Sequence, residues 1–156
     1  RILRASMICY LSSCEGITPD HLKGFFVGWQ HPPTPEEHLR ILQASDVVSL
    51  AVETESGLVV GFATAITDGV FSAHIPLVEV VPSCQGQGIG SRLMRHILEQ
   101  LGDLRMIDLT CDPDVQPFYA RLGLTRSTGM MIRSRQATIR EARRPQTQSG
   151  QRDRTS

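Results

Sequence analysis

Residues Leu77 to Leu101 read LVEVVPSCQGQGIGSRLMRHILEQL, and the fold is decided by how this stretch is parsed. Leu77 to Val81 is a short apolar run rich in β-branched residues, which predicts a buried strand. Pro82 to Gly90 predicts a turn, with glycines at Gly86, Gly88 and Gly90. From Ile89 the apolar spacing becomes helical. Ile89, Leu93, Met94, Ile97, Leu98 and Leu101 fall on one face, and Arg92, Arg95, Glu99 and Gln100 on the other. Gly102 follows, where a helix-ending glycine is expected.

A strand, a glycine turn and a helix N-terminus together predict an anion site. The first N–H groups of a helix lack partners within it, and the helix dipole adds partial positive charge there. Glycines let that backbone approach a bulky phosphate. The plainer reading is a tight strand–helix connection, which one glycine would satisfy. Three phosphate loops compete for the motif. A Walker loop needs Gly-Lys-Ser/Thr, and the only lysine of the chain is Lys23. A dinucleotide fingerprint needs G-x-G-x-x-G/A directly after a strand. Here Pro82 to Gln85 intervene and the sixth position is Ser91, although Asp108 lies near where a ribose-binding acid would fall. The third pattern, Q-x-x-G-x-G, fits as Gln85-Gly86-Gln87-Gly88-Ile89-Gly90.

This last pattern closely resembles the acyl-CoA pyrophosphate loop of the GNAT N-acetyltransferase superfamily. The preceding V-x-V-V-P and a later Phe118-Tyr119-x-x-x-Gly123 match that superfamily's order of motifs, and the resemblance covers about residues 2 to 133. It implies acetyl-CoA as co-substrate, with the pyrophosphate on the N–H groups of Gln85, Gly86, Gln87, Gly88, Ile89 and Gly90. Ser91 and Arg92 adjoin the phosphates. The pantetheine arm would pair with the backbone near Val80 and Val81. Tyr119 matches the tyrosine that acts as general acid on the CoA sulfur; the plainer reading is a packing aromatic. Asp112 stands where the superfamily usually has Asn, and a carboxylate cannot donate to the pantetheine. I-P-L-V-E-V-V-P-S-C-Q-G-Q-G-I-G with C-D-P-D-V-Q-P-F-Y is similar to small bacterial members that lack an assigned acceptor.

Acetyl transfer to an amine also needs a base. Glu79 and His74 precede the loop on one predicted strand, and five residues apart they face opposite ways if that strand is unbulged. Val78 and Val80 would then share the face of His74. An acid within L-V-E-V-V needs a partner when buried, which favours Glu79 over His74 or water. Trp29 and His31, in a Gly/Pro-rich loop, are the candidate acceptor-pocket residues with His74, whereas Phe25 and Phe26 read as core. The expected function is an acetyl-CoA-dependent N-acetyltransferase for a small-molecule or peptide primary amine. A non-catalytic acyl-CoA sensing module is the alternative.

The remaining composition bounds this reading. At 156 residues with 40% hydrophobic and 21% charged content, the chain predicts one domain with a real core. No apolar run approaches a membrane span. The chain opens at Arg1 without Met, so residues can precede it; no secretory leader is read in it. Cys9, Cys14, Cys84 and Cys111 form no C-x-x-C pair or metal-like cluster, so they predict reduced cytoplasmic thiols and no metal site. The segment from Ser134 carries six arginines and two acids, +4, which the neutral chain offsets with −4 over the remainder. A basic body for nucleic acid is therefore not expected. We divide the chain into an acyltransferase-like domain, 1–133, and a disordered basic tail, 134–156. No membrane partner is expected, and a homodimer is left open.

In order, strands are predicted at Ile2–Leu11, Val47–Glu53, Leu58–Thr67, Val70–Val81 and Arg105–Thr110, with Leu124–Arg126 and Met130–Ile132 as two last short ones. Helices are predicted from Pro19 to about Val27, from Pro35 to Ala44 behind a Thr34–Glu37 capping box, from Ile89, and between Asp112-Pro113 and Gly123. The expected fold is α/β: a mixed, mostly antiparallel central sheet flanked by helices on both faces. By resemblance it is GNAT-like, with splayed central strands and CoA in their gap.

Overall fold

A computed structural model describes residues 6–133. The tail from Ser134 and the start of the first predicted strand lie outside them. Five strands form one sheet in chain order: β1 (Ile8–Leu11), β2 (Val47–Glu53), β3 (Val59–Thr67), β4 (Ser72–Val80) and β5 (Met106–Asp108). The first three junctions are antiparallel and β4–β5 is parallel. Three α-helices accompany them: α1 (Pro35–Ala44), α2 (Ile89–Leu101) and α3 (Gln116–Ala120). The mixed α/β sheet with helices on both faces is the expected one.

Each face has its own core. β3 is buried over its first seven residues, so side chains alternate between two apolar clusters rather than between core and water. Phe62 joins Leu22, Phe26, Leu42, Val48, Leu50 and Val59 beneath α1. Ala63 and Ala65 join Ile75, Leu93, Met94 and Ile97 beneath α2. The predicted apolar stripe of α2 is the buried one, with Ile89, Leu93, Met94, Ile97 and Leu101 inside. Each such side chain contributes roughly 1.5–3 kcal/mol. The helix stops at Gly102, whose φ of 64° a side chain would strain. The Thr34–Glu37 capping box opens α1 as expected, with Glu37 N–H donating to Thr34 Oγ1 (3.2 Å) and Thr34 N–H donating to Glu37 Oε2 (2.9 Å).

The decisive irregularity is in β4. Thr64 pairs with Leu77, yet Ile66 pairs with His74. Ile75 and Pro76 together oppose the single Ala65, a β-bulge, and Pro76 suits it because proline has no N–H to give the ladder. The bulge reverses the alternation that an unbulged strand predicts. Glu79 pairs with Phe62 and Leu77 with Thr64, while His74 pairs with Ile66, so all three share the α1 face. Val78 and Val80 lie on the α2 face with Ile75. The expectation that His74 and Glu79 face opposite ways is therefore corrected.

Past the bulge β4 loses its other neighbour. β5 pairs only with Ser72, Ala73 and His74. From Ile75 to Val80 the β5-side edge has no strand partner among the described residues. This is the splay of the central strands.

Other expectations need correction. The helix expected from Pro19 is one 3₁₀ turn, Pro19–His21, because Gly24 (φ 88°), Phe26 (φ 59°) and Gly28 (φ 81°) all take left-handed conformations that a helix excludes. The helix before Gly123 spans only Gln116–Ala120. Asp112 does not cap it with its side chain; its backbone carbonyl accepts from Val115 N–H at 3.0 Å. Leu124–Arg126 and Met130–Ile132 form no strand, and Met130 and Ile132 are fully exposed.

Gly61 sets how closely α2 approaches the sheet. A Cβ there would lie 2.8 Å from Leu93 Cδ1 and 3.2 Å from the Glu79 carbonyl oxygen. Leu93 can rotate but the β4 backbone cannot. Gly61→Ala is expected to destabilise the fold by about 1–3 kcal/mol, as overpacking does, and denaturant unfolding at unchanged m-value measures it.

Candidate active site at the open edge of the sheet

Val81 N–H donates to the Val60 carbonyl at 2.9 Å, which fixes the phase of the β3–β4 ladder. In an antiparallel pair, residues alternate between facing the partner and facing away. Val78 and Val80 therefore aim their N–H and C=O groups at the open edge. The Val80 carbonyl is met by the Gln85 side chain, whose Nε2 donates to it at 3.0 Å. The first residue of the glycine motif is thus tied back to the strand it follows.

The chain then makes a 3₁₀ turn, Pro82–Cys84, and enters the loop. Gly86 has φ 75° and Gly88, the N-cap of α2, has φ 81°. Both need glycine for conformation alone, and a Cβ at either would meet nothing within 4 Å, so the space outside is free. Gly90 is different. It is helical, and a Cβ there would sit 3.5 Å from the Phe118 ring, an ordinary contact. Arg92 N–H is the first to bond back, to Gly88 at 3.1 Å. Ile89, Gly90 and Ser91 are left with N–H groups at a helix end that no side chain caps. A helix end of this kind suits an anion by geometry and by dipole. Burial raises the Tyr10 hydroxyl above its usual pKa, and the nearby Arg92 guanidinium pulls it partly back, so Arg92 lies near β1.

Between the loop and the α1 face lies a cavity of about 220 Å³ lined by Gly24, Val27, Val78, Glu79, Val80, Pro82 and Gln85. Glu79 is its one formally charged side chain. Burial pushes the Glu79 carboxyl above its usual range, and a hydrogen bond from Phe26 N–H to Oε2 (2.9 Å) pulls it partly back. That N–H is presented by the left-handed backbone at Phe26, which costs a non-glycine residue roughly 1–2 kcal/mol. Strain of this kind persists only where the surroundings impose it. Here the Phe26 ring is held between His38 (4.9 Å), Trp29 (5.2 Å) and Phe62 (6.0 Å).

The structure gathers most predicted site residues and separates others. Phe118 lies on Gly90 and near Val80, and Tyr119 stacks edge-on against Phe118 at 4.9 Å, so α3 stands over the start of α2. Burial, with a smaller effect of the Cys111 thiol, raises the Tyr119 hydroxyl above its usual pKa, so it keeps its proton at neutral pH. Val81 is buried in the α2-side core. Asp112 is exposed beyond Cys111. His74 is not at the cavity: its Nδ1 pairs with Asp108 at 2.5 Å, where β4 and β5 still run together. Trp29 is 50% exposed on the Gly24–Trp29 loop beside Val27, which is 69% exposed, and His31 is exposed after it. Sequence reasoning missed the Phe26 N–H and the lining by Gly24 and Val27. The spacing of Gly24 and Gly28 was the available signal for an irregular loop. Among the described residues no group of three or more His, Cys, Asp or Glu could hold a metal ion.

Comparison with known proteins gives a consistent picture. Residues 14–124 match the acetyltransferase (GNAT) family. An uncharacterized N-acetyltransferase, ycf52, of Porphyra purpurea is 34% identical over 119 residues, covering 73% of this chain and 68% of its own. The chloroplastic serotonin N-acetyltransferase 2 of Oryza sativa subsp. japonica is 37% identical over 116 residues, 71% of this chain and 58% of the relative. A solved candidate acetyltransferase from Deinococcus radiodurans R1 superposes with a TM-score of 0.79 at 50% identity, over 81% of this chain and 87% of that one. An aminoglycoside N-acetyltransferase solved with CoA shares the fold, with a TM-score of 0.60 at 17% identity over 86% and 99% of the two chains.

The uncapped helix start generates a charge test. Asn and Asp both tolerate the left-handed conformation of Gly88, so they differ there mainly in charge. Gly88→Asp is expected to weaken CoA binding at least about tenfold more than Gly88→Asn, read by calorimetry on folded protein. Equal affinities for the two variants would exclude a phosphate at this helix end.

Proposed function

The chain belongs to the acetyltransferase (GNAT) family and is an acetyltransferase, and we propose that it moves the acetyl group of acetyl-CoA to a primary amine at the open edge of β4. One observation carries the reading: a half-buried carboxylate near the end of an open-edged strand is followed, after the turn and glycine loop, by an uncapped helix N-terminus. The domain responsible is 1–133, with the tail from Ser134 outside it.

The loop and the edge fit the co-substrate. The N–H groups of Ile89, Gly90 and Ser91 suit a pyrophosphate, and Gly86 and Gly88 leave room for it. The edge N–H and C=O groups of Val78 and Val80 suit a chain of amides lying as a strand would. The Val80 carbonyl has two lone pairs and can accept from the co-substrate beside Gln85 Nε2. The fold-sharing aminoglycoside enzyme, solved with CoA, supports this assignment.

The chemistry follows from the two titratable groups. Glu79 accepts the proton that the attacking ammonium must lose. Its raised pKa brings it nearer neutrality, where a base works best. The amine nitrogen then bonds to the thioester carbonyl carbon and the C–S bond breaks. Tyr119, kept protonated, donates its proton to the departing thiolate, and the second proton of the acylated nitrogen restores it. Rate should therefore rise with pH through the Glu79 ionisation. The acceptor enters past Val27, Trp29 and His31. The cavity is small, so only the amine-bearing end of a small molecule or peptide is enclosed. The serotonin N-acetyltransferase relative supports a small-molecule amine. The compartment is read as the cytoplasm, although two relatives, from Oryza sativa subsp. japonica and Arabidopsis thaliana, are chloroplastic. No helix among the described residues is long and apolar enough to cross a membrane.

Tyr119→Phe keeps the ring and removes only the donor. We expect kcat to fall by about 10², the low end of general-acid effects because a thiolate leaves well unaided, with KM for acetyl-CoA little changed. A kcat within about twofold of the parent would assign the proton to another donor.

A further inference from the structure

The α1 face holds a buried histidine that nothing above uses. His38 is 1% exposed, and neither ring nitrogen has a hydrogen-bond partner. Burying two polar atoms without a protein partner among the described residues is unfavourable, and an apolar side chain would avoid it. The ring packs as an aromatic instead. It is edge-on to Phe25 (5.1 Å) and Phe26 (4.9 Å) and tilted against Phe62 (4.3 Å). Phe62 is the cross-strand neighbour of Glu79 on the same face. Phe26 supplies the N–H that holds Glu79 Oε2, from the only left-handed non-glycine backbone among the described residues.

We propose that His38 is a positioning residue: its ring, wedged against Phe26 and Phe62, locks the left-handed Phe26 backbone and so aims the Phe26 N–H at the Glu79 carboxylate. The proposal deepens the assignment of Glu79 as base and rests on it. An edge of a neutral imidazole fits between two phenyl rings, and burial keeps it neutral by lowering its pKa to about 4. The wedge is therefore uncharged throughout the range in which Glu79 would work. Aliphatic side chains of similar volume fill the space without the edge-to-face geometry that fixes ring orientation.

A purely structural histidine would change stability and nothing else. A positioning histidine changes how Glu79 ionises. The charged and titratable groups around Glu79 are few. His74, with Asp108, shares its face of the sheet beyond the bulge. Lys23, on the loop next to Gly24, is paired with Asp20 at 3.4 Å. Cys84 follows on the turn after β4. Among the described residues the His38 ring makes no hydrogen bond, so its effect on Glu79 passes through its ring contacts with Phe26 and Phe62.

The test uses His38→Leu and His38→Phe in the full chain, with kcat/KM followed against pH and the Phe26 amide resonance followed by NMR. In the parent, the Phe26 amide shift should titrate with the Glu79 carboxyl. In His38→Leu the amplitude of that titration should collapse. The midpoint of kcat/KM should rise by about half a pH unit or more, because the ionised carboxylate loses its donor. CoA affinity should not change. His38→Phe, which restores a ring edge, should return both readouts toward the parent. Parent-like midpoints and amide titration in a folded His38→Leu overturn the proposal, as does an equal defect in both variants. If His38→Leu does not fold, Phe26→Leu cuts the same ring contact from the other side and is read in the same way. Glu79→Gln separates the two readings. Undiminished activity there refutes Glu79 as base, while the Phe26 titration still decides the role of His38.

Discussion

Between His74 and Leu77, β4 carries one residue more than β3 can match, and most of what distinguishes this molecule follows from that surplus. The bulge turns Glu79 to the α1 face, where the Gly24–Trp29 loop can reach it. It turns Val78 and Val80 to the α2 face, where they pack with the helix that starts at the glycine loop. Pairing with β5 ends at His74, on the near side of the bulge.

Two opposed electrostatic settings then meet along a few residues of backbone. The start of α2 offers bare N–H groups and a positive dipole end. One strand residue before Val80, Glu79 sits with its carboxyl desolvated and held by one N–H. The positive end favours an anion and the desolvated acid favours taking up a proton. Neither needs a metal or a charged partner, because each is made from backbone and burial. The cost falls on conformation: a left-handed phenylalanine, and, among the described residues, a buried histidine ring without a hydrogen-bond partner and a strand edge without a neighbour.

Much of this was legible in the sequence, for identifiable reasons. Helix α2 announced itself through a long periodic stripe and a terminal glycine, signals that tertiary packing reinforces. The Q-x-x-G-x-G motif marked the loop because left-handed positions select glycine, although Gly86 and Gly88 need glycine for conformation and Gly90 does not. An acid within an apolar strand marked Glu79. The bulge was not legible from alternation, since one inserted residue leaves no periodic trace; Pro76, inside a predicted strand, was its only sign. The helix expected after Pro19 had a genuine start signal in Thr18-Pro19, but the left-handed backbone from Gly24 onward overrode it. The bond from Phe26 to Glu79 spans 53 residues, beyond any local pattern. His38 could have been suspected from Leu42, four residues on and equally buried. Leu124 to Ile132 has too few apolar residues in phase to form a strand alone, and none forms.

The unpaired edge from Ile75 to Val80 also has a meaning for the life of the protein in a cell. An exposed strand edge is a template for pairing with other chains, and natural proteins cover such edges. Here, among the described residues, the Gln85 side chain meets the edge at Val80, and in the proposed reading the co-substrate covers the rest. A ligand that binds only the folded chain stabilises it by about 2.7 kcal/mol at a hundredfold excess over Kd. Loss or gain of one to two kcal/mol is enough to change the amount of protein that escapes degradation severalfold. The abundance of this chain would then follow the supply of its acyl donor, so that metabolic state is written into how much enzyme survives as well as how fast it turns over.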